Sequence, residues 1–367
     1  MTQNFSRILL APSAYKGTLD ASAVALALND GVKVAMPLAT VQLAPIADGG
    51  DGTLAAVHAV RGGTFHKVPV LGAMNDFVEA EWLELDGVAV VELAGASGLG
   101  MLQGRELQPL TAHSFGTGQV MLDALQKGTK ELIVCVGGSA STDGGAGALQ
   151  ALGAHFLDSN RMELAMGGGA LSGIVRCDLS KLERWRSAQI SVATDVTSPL
   201  LGEHGAAHIF APQKGAGPYE VEQLEEALKR FANVLEKDTG KFVRNLAGSG
   251  AAGGTAFGLA CALGAQIISG FEWLSEMADL ENKIAACDLV VTAEGCLDHQ
   301  SLTGKATGEL AKMCTKLGKP LWAVPALVQK DLDWRSFGIT RVIESCSNGR
   351  AADALTIAAA MRAALQT

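Results

Sequence analysis

Apolar positions fall in short blocks along this chain, and the spacing inside the blocks switches between two periods. Near the start, RILLAP is a compact apolar run, the loop YKGT follows, and LDASAVALALNDGV carries its apolar residues at helical spacing. VQLAPI, ADGGDGT and LAAVHAV repeat that order. Short apolar runs alternating with helical segments predict a parallel sheet. From about Val68 to Val91 the period becomes two, as in VEAEWLEL and VAVVEL, which predicts antiparallel strands or a hairpin. HSFGTGQVMLDALQKG then reads as a helix, ELIVCV as a buried strand and ISVATDV as another. YEVEQLEEALKRFANVLEKDTG has apolar residues three to four apart with mixed charges between them, the pattern of a surface helix. The window from Ala251 to Ile268 reads as a buried helix of small residues, and KFVRNLA before it makes a poor strand.

Towards the end the opening pattern returns. DLVVTAEG, a helix from about Gly304 to Leu317, PLWAVPALV and RVIESC read as strand, helix, strand and strand. The predicted organisation is α/β with two domains. Residues 1–61 plus 285–367 form one discontinuous parallel-sheet domain from both chain ends, and 62–284 form an inserted second α/β domain.

Composition narrows the classes. The 367 residues suffice for about two domains, and 48% hydrophobic against 18% charged residues supports a packed core over disorder. A net charge of −9 without a basic stripe argues against nucleic acid or an anionic membrane surface as partner. An anionic ligand then needs local help from backbone N–H groups, a metal ion or a few placed cations. The seven cysteines form no C-x-x-C pair, which fits a reduced, cytoplasmic compartment. The apolar run near the N-terminus is too short for a signal peptide, and no window reads as a membrane span.

The 44 glycines cluster in loops that follow the predicted strands, together with carboxylates and lysines. Phosphoryl transfer needs positioning and charge neutralisation more than covalent chemistry. Glycine lets N–H groups approach phosphate oxygens, carboxylates hold Mg²⁺ or accept a hydroxyl proton, and Lys or Arg offsets negative charge. Lys16 stands after RILLAP, and Asp48-Gly49-Gly50-Asp51-Gly52-Thr53 after VQLAPI. Gly137-Gly138-Ser139-Ala140-Ser141-Thr142-Asp143-Gly144-Gly145 follows ELIVCV and runs into a helix, which makes it the best phosphate loop, although no G-K-[ST] closes it. Asp195 ends ISVATD, and Glu294, Asp298 and Lys305 share one loop. Each cluster also has a plainer reading as a turn, an N-cap or an exposed side chain. GSGAAG at 248–253 matches G-x-G-x-x-G without a convincing strand before it, and His204 with His208 has no further zinc ligand in sight. Taken alone, these features describe an α/β enzyme that handles phosphates, without naming its substrate.

The ordered set APSAYKGTL, PIADGGDGT, VGGSASTDGGAGALQALGA, ATDVTSPL, FAPQKGA, GSGAAGG and AEGCLDHQSLTGK resembles the bacterial glycerate kinase family, over nearly the whole chain. The resemblance implies a flavodoxin-like domain built from both chain ends, an inserted α/β domain and an active site between them. It also implies ATP and Mg²⁺, and phosphorylation of glycerate at the 2-hydroxyl. Asp195, Asp48 and Lys16 are then the expected catalytic residues, with Asp48, Asp51 and Asp195 holding the metal. Gly137, Gly138, Ser139, Ser141, Asp143, Gly144, Lys214, Gly250 and Gly253 are expected on the nucleotide. Lys16, Gly49, Gly50, Glu294, Asp298 and Lys305 are expected on the hydroxy acid. A homodimer is left open as the assembly.

The chain departs from the family pattern at a few positions. Ser13 stands where the family usually has Asp, Cys296 where it has Arg, Ala293 where it commonly has Gly and Asp51 where it has Glu, and Pro325 interrupts a segment that normally contains Gly. Loss of both an Asp and an Arg fits a charge pair removed together, which costs less than stranding one partner. The alternatives are a kinase of another small hydroxy acid, or a catalytically weakened binding homologue.

Overall fold

A computed structural model describes residues 5–15, 17–302, 305–346 and 352–367, and the statements that follow concern those residues. The chain divides into two compact units. Unit 1 holds Met1–Asp48, Ala55–Gly62 and Gly270–Thr367, and unit 2 holds Gly49–Leu54 and Gly63–Ser269.

In unit 1, β1 (Arg7–Leu10), β2 (Thr40–Leu43), β11 (Leu289–Thr292), β13 (Leu321–Ala323) and β15 (Ile339–Val342) form one sheet in the order β15-β13-β11-β1-β2. Every pairing in it is parallel. Counted within the unit this is strand order 2-1-3-4-5, the flavodoxin-like arrangement. The strands read as unbroken apolar runs because alternate side chains point to opposite faces and both faces are buried. Ile8 and Leu10 of β1, with Leu289 and Val291 of β11, enter a core with Val24 and Leu28 of α1 (Ala21–Ala35) and Ile357 and Met361 of α13 (Ala354–Gln366). Leu9 and Val290 enter the opposite core with Ile284 of α10 (Leu280–Ala286) and Leu310 of α12 (Ala306–Lys316). Both faces are covered, as parallel sheets require. The remaining elements there are α2 (Thr53–Arg61), which begins in a unit 2 segment, α9 (Gly270–Met277), α11 (His299–Leu302), and the short parallel pair β12 (Cys296–Leu297) and β14 (Leu327–Val328).

PLWAVPALV, expected as one strand, forms two. Val324 still donates to Thr292 O at 2.8 Å, but Pro325 has no N–H to continue the ladder, and the chain moves off to pair β14 with β12.

In unit 2 the sheet order is β10-β9-β6-β5-β4-β3, from β3 (Thr64–Leu71), β4 (Phe77–Leu85), β5 (Val88–Glu92), β6 (Glu131–Cys135), β9 (Gln189–Ala193) and β10 (Gln266–Ile268). β5, β6, β9 and β10 are parallel, whereas β3, β4 and β5 form the antiparallel run that the alternation predicts. A small antiparallel pair, β7 (His155–Leu157) and β8 (Arg176–Asp178), lies outside this sheet. The helices are α3 (Ala94–Ser97), α4 (Phe115–Gln126), α5 (Ala146–Leu152), α6 (Ala206–Phe210), α7 (Pro218–Thr239) and α8 (Ala251–Leu263). α7 buries Val221, Leu224, Leu228, Phe231 and Leu235, one stripe at the expected spacing. The window from Ala251 to Ile268 is not one helix throughout: α8 is capped at Gly264, and β10 follows as the sheet's edge.

Candidate active site

The carboxyl ends of the parallel strands in unit 2 collect the Gly- and Asp-rich loops. Gly137 follows β6, and its N–H donates to Gly49 O at 2.9 Å. The fit leaves no room for side chains: a Cβ on Gly137 would lie 2.4 Å from Gly50 Cα, and one on Gly49 would lie 2.5 Å from Ala193 O. Gly49, Gly50, Gly137 and the end of β9 are thus stacked backbone on backbone, and Gly138 lies beside Asp51 Cβ.

Glu92, at the end of β5, fixes the acidic segment. Its two carboxylate oxygens accept from Gly52 N at 3.1 Å and Leu54 N at 3.0 Å, satisfying donors at the start of α2. Burial pushes Glu92 up to about 7 against the pull of those two bonds, and the nearby Asp51 adds to the rise. Sequence reasoning missed Glu92, although VAVVE ends an apolar run in a carboxylate just as ISVATD does. Asp195 accepts from Ser269 Oγ at 2.6 Å, a contact between the ends of the neighbouring strands β9 and β10 that local spacing could not supply.

The loop 137–145 is held from within by Asp143. Its fully buried carboxylate accepts from Ser114 N and Ser114 Oγ at 2.8 Å each and from Gly145 N and Gly147 N at 3.2 Å each. The side chain expected on a nucleotide is therefore committed to shaping the loop that would meet one. Lys214 projects into the same loop. Only 2% exposed, its ammonium nitrogen donates to Ser139 Oγ at 2.8 Å and to Ser141 O. Burial pushes it down to about 7, and the negative charge of Asp143 recovers only part of the fall. The hydroxyls of Ser141 and Thr142 are buried there without a hydrogen-bond partner.

The second glycine loop packs on the first. Gly253 O accepts from Gly144 N at 2.9 Å, and a Cβ on Gly253 would lie 2.2 Å from Ser141 O. Ala252, Gly253 and Gly254 take left-handed φ of 54°, 62° and 87° inside α8, interrupting the helix where the two loops touch. Gly250 instead packs on Pro199 and donates to Ser198 O at 2.9 Å. No strand precedes this motif, which removes the dinucleotide reading. His208 faces Glu222 and Glu225 at 3.4 and 3.5 Å.

In unit 1 the strand order reverses between β1 and β11, the position where open α/β sheets bind ligands. The loops after these two strands carry Ser13, Tyr15 and Lys16, and Ala293, Glu294, Cys296 and Asp298. Lys16 and Gly304 lie outside the described residues. Ser13 donates to Ala293 O through both N (2.8 Å) and Oγ (3.1 Å). Ser301 ties the second loop together: its hydroxyl contacts Glu294 Oε2 at 2.5 Å and Asp298 Oδ1 at 3.0 Å, and its N–H donates to Asp298 Oδ1 at 2.7 Å. Burial pushes Glu294 up, and its Oε1 is buried without a partner. Burial also acts upward on Asp298, but the N–H and hydroxyl of Ser301 outweigh it and hold the carboxyl below its ordinary range. Lys305 caps the N-terminus of α12, where the helix dipole disfavours a cation. Its positive charge favours the ionised forms of Glu294 and Asp298. Burial, Asp298 and Glu294 push the exposed Cys296 thiol up, away from a reactive thiolate. Asp48 also belongs to this unit.

Among the described residues, no group of three or more His, Cys, Asp and Glu is placed to hold a metal ion. Mg²⁺ does not require such a cage, because one or two carboxylates plus substrate phosphates suffice.

The model of the glycerate kinase family matches residues 8–365. The chain belongs to this family. It is 40% identical over 329 residues to the glycerate 2-kinase of Escherichia coli (strain K12), covering 89% of this chain and 86% of that protein. To the glycerate kinase of Halalkalibacterium halodurans it is 39% identical over 321 residues, covering 86% and 84%. A crystal structure described as a candidate glycerate kinase 2 from Salmonella typhimurium LT2 superposes with a TM-score of 0.82 at 34% identity, over 99% of this chain and 98% of that one. The chain is thus an enzyme of the phosphotransferase class, and membership of a kinase family carries a nucleotide co-substrate and a small-molecule acceptor. Among the described residues no helix is long and apolar enough to cross a membrane.

Proposed function

We propose that this member of the family transfers the γ-phosphoryl group of ATP to the 2-hydroxyl of glycerate, giving 2-phosphoglycerate. The observation that carries the phosphate half is the buried Lys214 bonded to Ser139 and Ser141 of a glycine-rich loop at strand ends, in which the hydroxyls of Ser141 and Thr142 are buried without partners. The names of the E. coli and H. halodurans relatives support the acceptor. In this reading Gly138, Ser139, Ser141 and Gly253 approach the phosphates, Gly137, Gly144 and Gly250, whose N–H groups bond Gly49 O, Gly253 O and Ser198 O, support the loops, and Asp143 holds the first loop in shape. Bound Mg²⁺ would neutralise phosphate charge; among the described residues Asp48, Asp51 and Asp195 are not grouped as a three-carboxylate cage, so one or two of them would hold it together with the phosphate oxygens. Asp195 is the favoured acceptor of the hydroxyl proton, oriented by Ser269. Lys16, Glu294, Asp298 and Lys305 of unit 1 would grip the hydroxy acid, whereas Gly49 and Gly50, expected with them, pack on Ala193 and Gly137 in unit 2.

The domains proposed are 1–61 plus 285–367 and 62–284, working in the cytoplasm. Neutral Ser13 and Cys296, which follow the neighbouring strands β1 and β11, favour a second reading in which the acceptor is another small hydroxy acid. ADP release measured with D-glycerate, L-glycerate, glycolate, lactate and tartrate separates the two. We expect D-glycerate to give the highest kcat/KM, and a larger value for any other acid would replace it.

A further inference from the structure

We propose that the Lys214 pocket is a phosphate subsite that is uncharged until it is filled, so that the nucleotide binds together with a proton taken up by Lys214. The inference rests on the phosphate reading above and deepens it. An ammonium carries three N–H donors, but the pocket offers Lys214 two acceptors, Ser139 Oγ and Ser141 O. A neutral amine has two N–H donors and is satisfied by that pair. Among the described residues, no salt bridge gives Lys214 a counter-ion in contact. Asp143 is the carboxylate whose charge reaches Lys214, and its oxygens are taken up by Ser114, Gly145 and Gly147. His113, beside Asp143, is pushed down by burial. On α6, which packs against the turn carrying Lys214, His208 is turned to Glu222 and Glu225 of α7.

The loop that holds Lys214 is itself unfinished. The Ser141 and Thr142 hydroxyls are fully buried and have no partner, a cost that a ligand with several acceptor oxygens would remove. A phosphate is such a ligand. Its negative charge restores the preference of Lys214 for the charged form, and the added proton, drawn from the buffer, supplies the third N–H donor. Burial, partly offset by the charge of Asp143, brings the free lysine down to about 7, so the change falls within the working range of pH.

The test is calorimetric titration of the full chain with ATP and Mg²⁺, without acceptor, at about pH 8 in buffers of different ionisation enthalpy. The wild type is expected to take up close to one proton more than Lys214→Arg, whose guanidinium is always charged. Equal uptake by the two proteins overturns the inference and leaves the phosphate reading standing. Failure of the wild type to bind ATP overturns that reading, and this inference with it. If the Arg variant does not fold, the wild-type ATP affinity is measured from about pH 8 to about 9.5, where the nucleotide phosphates are fully ionised. It should weaken by roughly tenfold per pH unit, and a flat profile overturns the inference.

Discussion

Lys214 is the residue at which stability and function pull apart. Its ordinary value of 10.5 is pushed down to about 7 by burial, so between those two values the unfolded chain holds a proton that the native chain has released. Stability therefore rises with pH across that window, and below about pH 7 the native state carries the full cost of a buried charge. An apolar residue of similar volume would escape the cost of burying Lys214 in its charged form. Lys214→Met is therefore expected to raise Tm at neutral pH while removing phosphoryl transfer, and the gain should shrink as pH rises. A lower Tm at pH 7 would show that the two hydrogen bonds outweigh the burial cost. Some of this chemistry was legible in the sequence and some was not. The loop residues were visible as Gly, Ser and Asp beyond apolar runs, and Lys214 through the family motif FAPQKGA. That Asp143 turns inward was not, because its four donors come from positions as far back as Ser114, and spacing says nothing about contacts across the fold. Glu92 was hidden for a related reason: its role is fixed by Gly52 and Leu54, forty and thirty-eight residues away.

At the scale of elements, the site depends on loops pressed together without side chains between them. Gly137, Gly49 and Gly50 meet where β6 and the segment leading into α2 converge, and a methyl group at Gly137 would fall 2.4 Å from Gly50 Cα. Neither side can yield by rotating a side chain, since both contacting atoms are backbone. Gly137→Ala should cost about 1–3 kcal/mol in stability and, by displacing Asp51 and the loop, on the order of a hundredfold in kcat. Urea unfolding and steady-state kinetics measure both, and unchanged kcat would mean that the loop position is not critical. The elements themselves were largely readable. The unbroken apolar runs of β1 and β11 reflect burial on both faces, the alternation over β3–β5 follows the antiparallel pleat, and α7 shows its stripe. The misses came from single residues that interrupt a pattern, Pro325 in the strand after Pro320 and Gly264 at the end of α8.

For the whole molecule, the order of motifs carried more than any one loop. The parallel sheet of unit 1 places the reversal of strand order between β1 and β11, and the loops there hold the residues proposed for the acid. Besides Gly62, which falls in unit 1, the compact units differ from the proposed domain boundaries over 49–54 and 270–284, each with a physical reason. Segment 49–54 is bonded to Gly137 and Glu92 and so goes with unit 2, whereas Phe271, Leu280 and Ile284 enter a unit 1 core. Family membership establishes a phosphotransferase, and the altered positions Ser13 and Cys296 leave the acceptor as the claim most in need of a direct answer. The measurement is a turnover of D-glycerate with ATP and Mg²⁺ in which the product is identified by phosphorus and proton NMR. The account predicts 2-phosphoglycerate. The appearance of 3-phosphoglycerate, or the absence of any phosphorylated glycerate from active protein, would contradict it.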